Sequence, residues 1–134
     1  MGLNYTYQKA QDFTYPEENG DGGSYGGQIA YIPWHSGSAI ANIIWKTWGL
    51  NYSFIYVGER YHVSSNILAN YERPWYTHDL TFGKTLKWRT NKGACPLVMK
   101  LSAEINNILN QQFDVVYNYP MPGRNFKLIL KMEL

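Results

Sequence analysis

At 134 residues the chain is one domain's worth; it carries twelve Tyr, five Trp and five Phe, with charged residues at only 16%, below the ~25% of an average domain. A mean hydropathy of −0.40, with no run approaching ~18 apolar residues, excludes a membrane-spanning helix. A net charge of +2 is too small to indicate nucleic acid as a partner, and the lone Cys95 forbids an internal disulfide.

Many aromatics, few charges and a polar average suit strands with one apolar and one polar face. Alternation of period two is the dominant signal along the chain. LNYTYQKAQDF (3–13) opens as a strand, Leu3, Tyr5 and Tyr7 alternating with Asn4, Thr6 and Gln8. TYPEENGDGGSYGG (14–27) is a long loop, because its Gly and Asp residues favour positive φ. QIAYIPWHS (28–36) leads back, Pro33 marking a strand start rather than a ladder centre. SAIANIIWK (38–46) and WGLNYSFIYVGER (48–60) form a hairpin about Lys46 and Thr47, with Trp48, Leu50, Tyr52, Phe54 and Tyr56 on one face.

Residues 61–74 are a second long connection. WYTHDLTFGKTLKWR (75–89) sets Tyr76, Leu80, Phe82, Leu86 and Trp88 against Thr77, Asp79 and Thr81, and RTNKGACP (89–96) is a turn by composition. LVMKLSAEINNIL (97–109) is rich in residues that favour helices, but its period-two match over ten residues predicts a strand. FKLILKMEL (126–134) is the last strand, Phe126, Leu128, Leu130, Met132 and Leu134 lying opposite Lys127, Ile129, Lys131 and Glu133. The expectation is an all-β chain, an antiparallel β-meander of about six long strands.

Three features turn this pattern toward a membrane barrel. Stretches 48–60, 75–89 and 97–109 reach the roughly 9–11 residues of a transmembrane strand. Tyr5, Tyr7, Trp45, Trp48, Tyr76 and Trp88 gather toward strand ends, as interfacial aromatic girdles require. Short connections (46–47, 90–95) alternate with long ones (14–35, 61–74, 110–124), the periplasmic-turn and outer-loop scheme that leaves Leu134 on the periplasmic side. Lys100, Glu104, Lys131 and Glu133 fall on the polar phase, where a lumen would hydrate them. Lys84 alone falls on the apolar phase, and a bulge at Gly83 is expected to re-aim it.

GERY (58–61), YTHDL (76–80), AEINNILNQQF (103–113) and YPMPGRNFKLIL (119–130) resemble the C-terminal end of a TonB-dependent outer-membrane receptor of the Bacteroidetes type. The resemblance runs over residues 3–134, and its most specific part is INN-L followed by Tyr-Pro-x-Pro-Gly-Arg and a terminal strand. It implies that residues 1–134 are the C-terminal segment of a twenty-two-stranded transmembrane barrel in the bacterial outer membrane. The plug domain and most of the barrel have no counterpart in these residues. The implied partners are the remainder of the barrel, the plug, the TonB system acting through that plug, the barrel-assembly machinery and membrane lipid.

The implied function is import of a scarce ligand of the siderophore, cobalamin or glycan class. This segment would supply wall and extracellular loops and would not transport alone. Many such barrels end in Phe or Trp, whereas this chain ends in Leu134. Residues 1–20 lack a charged n-region and an apolar h-region, so no signal peptide is expected in them. The alternatives are a small soluble β-barrel that binds a lipid-like ligand, and a gene remnant without function.

The family-motif positions, read as structural, are Gly58, Glu59, Arg60, Tyr61, Asn106, Asn107, Pro120, Pro122, Gly123, Arg124 and Phe126. Glu59, Arg60 and Arg124 are expected to fix loops and lumen through ion pairs, since Arg binds carboxylates bidentately. Asn106, Asn107, Gln111 and Gln112 read as an amide cap on the penultimate strand. His35, His62 and His78 lack metal-ligand spacing. Asp79 and Glu104 read as lumen carboxylates exposed to water or paired with Lys100 rather than as an acid–base couple, and Cys95 has no neighbouring His. No catalytic constellation, cofactor or metal is expected, and the chain does not read as an enzyme.

Overall fold

Alternation along the chain becomes one antiparallel sheet in the computed structural model, which describes residues 1–19, 25–88 and 97–133. In chain order the strands are β1 (Gly2–Tyr7), β2 (His35–Trp45), β3 (Trp48–Val57), β4 (Arg60–Tyr61), β5 (Tyr71–Glu72), β6 (Trp75–Trp88), β7 (Leu97–Asn106), β8 (Asp114–Val116), β9 (Tyr119–Pro120) and β10 (Asn125–Glu133). Six of them form the wall, in the order β1-β2-β3-β6-β7-β10. The expected turn at 89–96 with Cys95, the centre of the first loop and Leu134 lie outside the described residues.

The first strand is shorter than its expected 3–13, ending at Tyr7. Past that point Gln8, Lys9, Ala10 and Gln11 break the alternation, and the pairing thins to a bridge between Gln11 and Gln28 and separate backbone bonds such as those from Gln8 to Trp34 and from Asp12 to Gly27. Stretch 97–109 is a strand as far as Asn106. The two-residue turn Lys46–Thr47 joins β2 to β3, with Lys46 at φ 55°, the left-handed geometry that fits a tight hairpin to strand twist. The connections expected at 61–74 and 110–124 are less plain than that, for a two-stranded ribbon, β4–β5, spans residues 60–72 and another, β8–β9, lies within the second. All three long connections leave the sheet at the end opposite the Lys46–Thr47 turn.

Register sorts the side chains cleanly. Ile43, Leu50, Phe82, Ala103 and Leu128 form one cross-strand row, and Trp45, Trp48, Lys84, Leu101 and Leu130 form another on the same face. Successive residues of a strand point to opposite faces, so Asn42, Asn51, Thr81, Glu104 and Lys127 line a row on the other side. Among the described residues no hydrophobic side chain is buried, and Phe126 and Leu128 are 72% and 73% exposed. An apolar face of this extent left open in water would drive aggregation. The sheet stays open at β1 and β10, so these strands do not close into a small barrel with an apolar interior.

Both ends of the apolar face are aromatic. Tyr5, Tyr7 and Tyr76 lie toward the long-loop end; Trp45, Trp48 and Trp88 lie toward the short-turn end. Trp48 and Tyr56 are eight residues apart, about 26 Å along the strand, which a tilt of ~40° shortens to about 20 Å, near the ~25 Å apolar band of outer-membrane barrels. The bulge expected at Gly83 is absent: Gly49 pairs with Gly83 and Trp48 with Lys84 without a register shift. Lys84 remains on the apolar face, its Nζ 4.1 Å from the centre of the Trp48 ring. A bulge is unnecessary because the aromatic face and the long alkyl stem accommodate the ammonium.

Candidate functional site

The buried side chains gather at the long-loop end, and all are polar: Gln28, Arg60, Thr77 and Asn107. Asn107 ends β7 in the left-handed region, at φ 52°, which asparagine tolerates better than most residues. Its backbone N–H donates to Asp79 Oδ1 at 2.8 Å. Its side chain donates to the Gln111 carbonyl at 2.8 Å and accepts from the Gln111 N–H at 2.9 Å. Gln111 Oε1 in turn accepts from the Tyr76 N–H at 2.8 Å, so one amide pair ties the end of β7 to the start of β6. Asn106 instead pairs with Asn125 across the ladder, at 3.0 Å.

Arg60 holds two loops together. Its Nη2 donates to the Asp114 carbonyl at 2.5 Å and to the Val115 carbonyl at 3.4 Å. These acceptors are backbone carbonyls, not the carboxylate expected from the sequence. Glu72 faces Arg60 across the β4–β5 ribbon. Burial pushes the guanidinium below its ordinary value, while Glu72, Tyr31 and Asp114 act the other way. Tyr71 donates to Glu59 Oε2 at 3.2 Å; burial, then that bond, pushes its phenol up.

The remaining motif positions fall around the same end. Gly58 donates to the His35 carbonyl at 2.8 Å, and a Cβ there would lie 2.7 Å from that oxygen, so only glycine fits the approach. The Tyr61 carbonyl accepts from Tyr31, 2.8 Å away. Pro122 offers its carbonyl to Asn107 at 3.4 Å, and Arg124 donates its backbone N–H to Asn110 Oδ1 at 2.8 Å. A Cβ on Gly123 would lie 2.6 Å from the same Asn110 oxygen. Pro120 closes the β8–β9 ribbon opposite Asp114. Phe126 is apart from this cluster, on the exposed apolar face.

The loops arch over the polar face rather than the apolar one. Trp75, on the polar phase, stacks on Phe113 at 4.3 Å. Beneath that pair a hollow of about 350 Å³ is lined by Ile55, Thr77, Asp79, Val115 and Met121. Beside it a cleft of about 380 Å³ opens among Tyr71, Glu72, Arg73, Gln112, Asp114 and Tyr117. Aromatic rings, two carboxylates, a guanidinium and an amide converge there, a surface that can stack on and hydrogen-bond a polar ligand. His62 stacks on Tyr117 at 4.1 Å with Nδ1 3.3 Å from Glu72 Oε1. Sequence reasoning did not single out Gln28 and Asn66, which hydrogen-bond to each other across 38 residues, or Phe113 and Tyr117, whose ring partners Trp75 and His62 are also distant in sequence.

The barrel model of the TonB dependent receptor-like family matches residues 1–108. The chain belongs to this family. It is a family of outer-membrane receptors and transporters, and the six-stranded sheet is a stretch of such a barrel. No curated protein matches the chain.

Along this stretch of receptor barrel the polar face is charged on one half only. Lys100 lies 3.1 Å from Glu133, Lys131 lies 3.1 Å from Glu133, and Lys127 lies 3.6 Å from Glu104. The Lys100 partner is therefore Glu133, while Asp79 serves the β7 terminus and Glu104 pairs with Lys127. On β2 and β3 the same face carries an Asn42–Asn51 hydrogen bond and no charge. The three histidines are dispersed. His35 and His78 sit on the apolar face, each bonded through Nδ1 to a tyrosine hydroxyl, Tyr5 at 2.8 Å and Tyr52 at 2.6 Å. Among the described residues no three His, Cys, Asp or Glu side chains cluster as metal ligands do.

Proposed function

We propose that residues 1–134 are the C-terminal wall and loop segment of a TonB-dependent receptor in the bacterial outer membrane, which imports a scarce ligand of the siderophore, cobalamin or glycan class. The observation that carries this reading is the two-faced open sheet. Its apolar side is exposed between a Tyr belt and a Trp belt, while its opposite side holds the ion pairs and the overarching loops. In a whole receptor the apolar face meets lipid and the polar face lines the lumen above the plug. β1 and β10 then pair with further wall strands, since unpaired strand edges in lipid cost several kcal/mol per group. The TonB system acts on the plug and the barrel-assembly machinery on the terminal strand, so this segment's part in transport is passive.

The motif residues have a scaffold role in this reading. Gly58, Arg60, Tyr61, Asn107, Pro122 and Gly123 fix the outer loops over the lumen, and the cleft beside Trp75 faces incoming ligand. Proteoliposome uptake tests the proposal. The full-length protein, energised through TonB, should accumulate ligand, and residues 1–134 alone should give no ligand-dependent uptake. Uptake by the isolated segment would contradict it.

A further inference from the structure

The polar and apolar faces treat lysine differently. On the polar face Lys100, Lys127 and Lys131 each lie within 3.6 Å of a glutamate oxygen. The apolar face carries Lys84 and, at its turn, Lys46, but no carboxylate among its described residues. Neither lysine has an ion-pair partner among the described residues. Each instead lies over a tryptophan: Lys84 Nζ is 4.1 Å from the Trp48 ring centre and Lys46 Nζ is 5.1 Å from that of Trp45. Trp45, Trp48 and Lys84 are direct neighbours in one row across β2, β3 and β6, spanning about 10 Å at ordinary strand spacing.

The position of Lys84 is costly for a cation unless something answers its charge. Lipid-facing lysine costs about 2–4 kcal/mol at the midplane and far less at headgroup depth. Lys84 lies four residues short of Trp88, about 13 Å along the strand, yet its ammonium reaches the Trp48 ring, next to the Lys46–Thr47 turn. The stem thus delivers the charge to headgroup depth. The rings offer cation–π attraction but no neutralising charge. No carboxylate among the described residues of this face answers the charge, and at headgroup depth a phosphodiester is an anion at hand.

We infer that Lys46 and Lys84, seated on Trp45 and Trp48, form a binding site for an anionic phospholipid headgroup in the leaflet at the short-turn end. The inference rests on the outer-membrane reading. The two tryptophans hold the ammonium groups outward and pack against the first carbons of the acyl chains, as interfacial tryptophans do. A zwitterionic headgroup adds its own cation to the site and binds less well. Selectivity is therefore for net negative charge.

The test uses the full-length protein carrying this sequence in nanodiscs of phosphatidylglycerol and phosphatidylcholine. Spin-labelled versions of the two lipids report which is held in the motionally restricted shell. Wild type should favour phosphatidylglycerol, and Lys84→Met should lower that preference by roughly fivefold per lysine removed, the gain of one basic side chain at an anionic surface. The K46M/K84M pair should bring it to the level of phosphatidylcholine. Lys84→Arg should retain it, and Lys100→Met, on the opposite face, should leave it unchanged. Equal association of both lipids with an inserted wild-type barrel overturns the inference alone, as does a preference indifferent to K46M/K84M. Failure of the protein to insert, seen as a gel band that does not shift on heating, overturns the outer-membrane reading and the inference with it.

Discussion

Along the wall, side chains that alternate to the apolar face stay open, whereas at the loop end Gln28, Arg60, Thr77 and Asn107 are buried and all are polar. The wall takes its order from a periodic backbone ladder and leaves its side chains to the surrounding solvent. The loop end has no such ladder, and its order comes from side chains that reach across the chain to carbonyls and amides. Asn107, Gln111 and Arg60 do for the loops what β pairing does for the strands. The difference teaches where each region is vulnerable. The wall should fail through polarity on the wrong face, and the loop end through loss of a single polar side chain.

The largest expected effect tests the wall. Leu128→Arg puts a charge on the apolar face near the middle of β10 and should cost about 2–4 kcal/mol in a bilayer. Ile129→Arg, one residue on and facing Ser102 on the polar side, should cost well under half as much. Urea unfolding of the full-length protein in liposomes measures both, and equal costs would erase the distinction between the faces. At the loop end Asn107→Ala removes three side-chain bonds and burdens a left-handed position, for a loss on the order of 2–3 kcal/mol. Asn106→Ala, losing one exposed bond to Asn125, should stay within ~0.5 kcal/mol.

Glycine gives a third contrast. Gly58→Ala meets the His35 carbonyl at 2.7 Å and should destabilise by about 1–3 kcal/mol. Gly49→Ala, in the wall with nothing within 4 Å of a Cβ, should fall within about 0.5 kcal/mol. The smallest of these contrasts is the contact between Trp48 and Lys84: Trp48→Leu takes the ring from beneath the ammonium, a cation–π contribution of roughly 0.5–1 kcal/mol. A double-mutant cycle with Lys84→Met isolates that term, and zero coupling would remove the ring from the account of how Lys84 is accommodated.

Most of the wall was legible in the sequence, because a period of two over nine or more residues has few other physical solutions. The short turn at Lys46–Thr47, the two aromatic belts and the strand character of 97–106 all follow from that pattern. Lys84 showed its limit: its phase was readable, but its resting place over Trp48 depended on the β3–β6 register. The loop end was far less legible. β4–β5 and β8–β9 are two- and three-residue strands, too short for any period to appear, and their anchors are distant in sequence, as in the bond from Arg60 to the Asp114 carbonyl. An amide-rich strand end was visible at 106–112, but the Asp79 that accepts from Asn107 was assigned to the lumen because nothing local marked its partner.

The most direct test of the account is a cysteine scan of the two faces, in a Cys95→Ser background of the full-length protein. Leu50→Cys, Phe82→Cys and Leu128→Cys, on the apolar face, should resist a water-soluble maleimide, and a fluorophore placed there should be quenched by brominated lipid. Asn51→Cys, Thr81→Cys and Ile129→Cys, one residue along each strand, should label from water and escape that quenching. Alternation in this sense is the predicted result; uniform labelling, or alternation of the opposite sense, would contradict a wall with lipid on its apolar side and a lumen on the other.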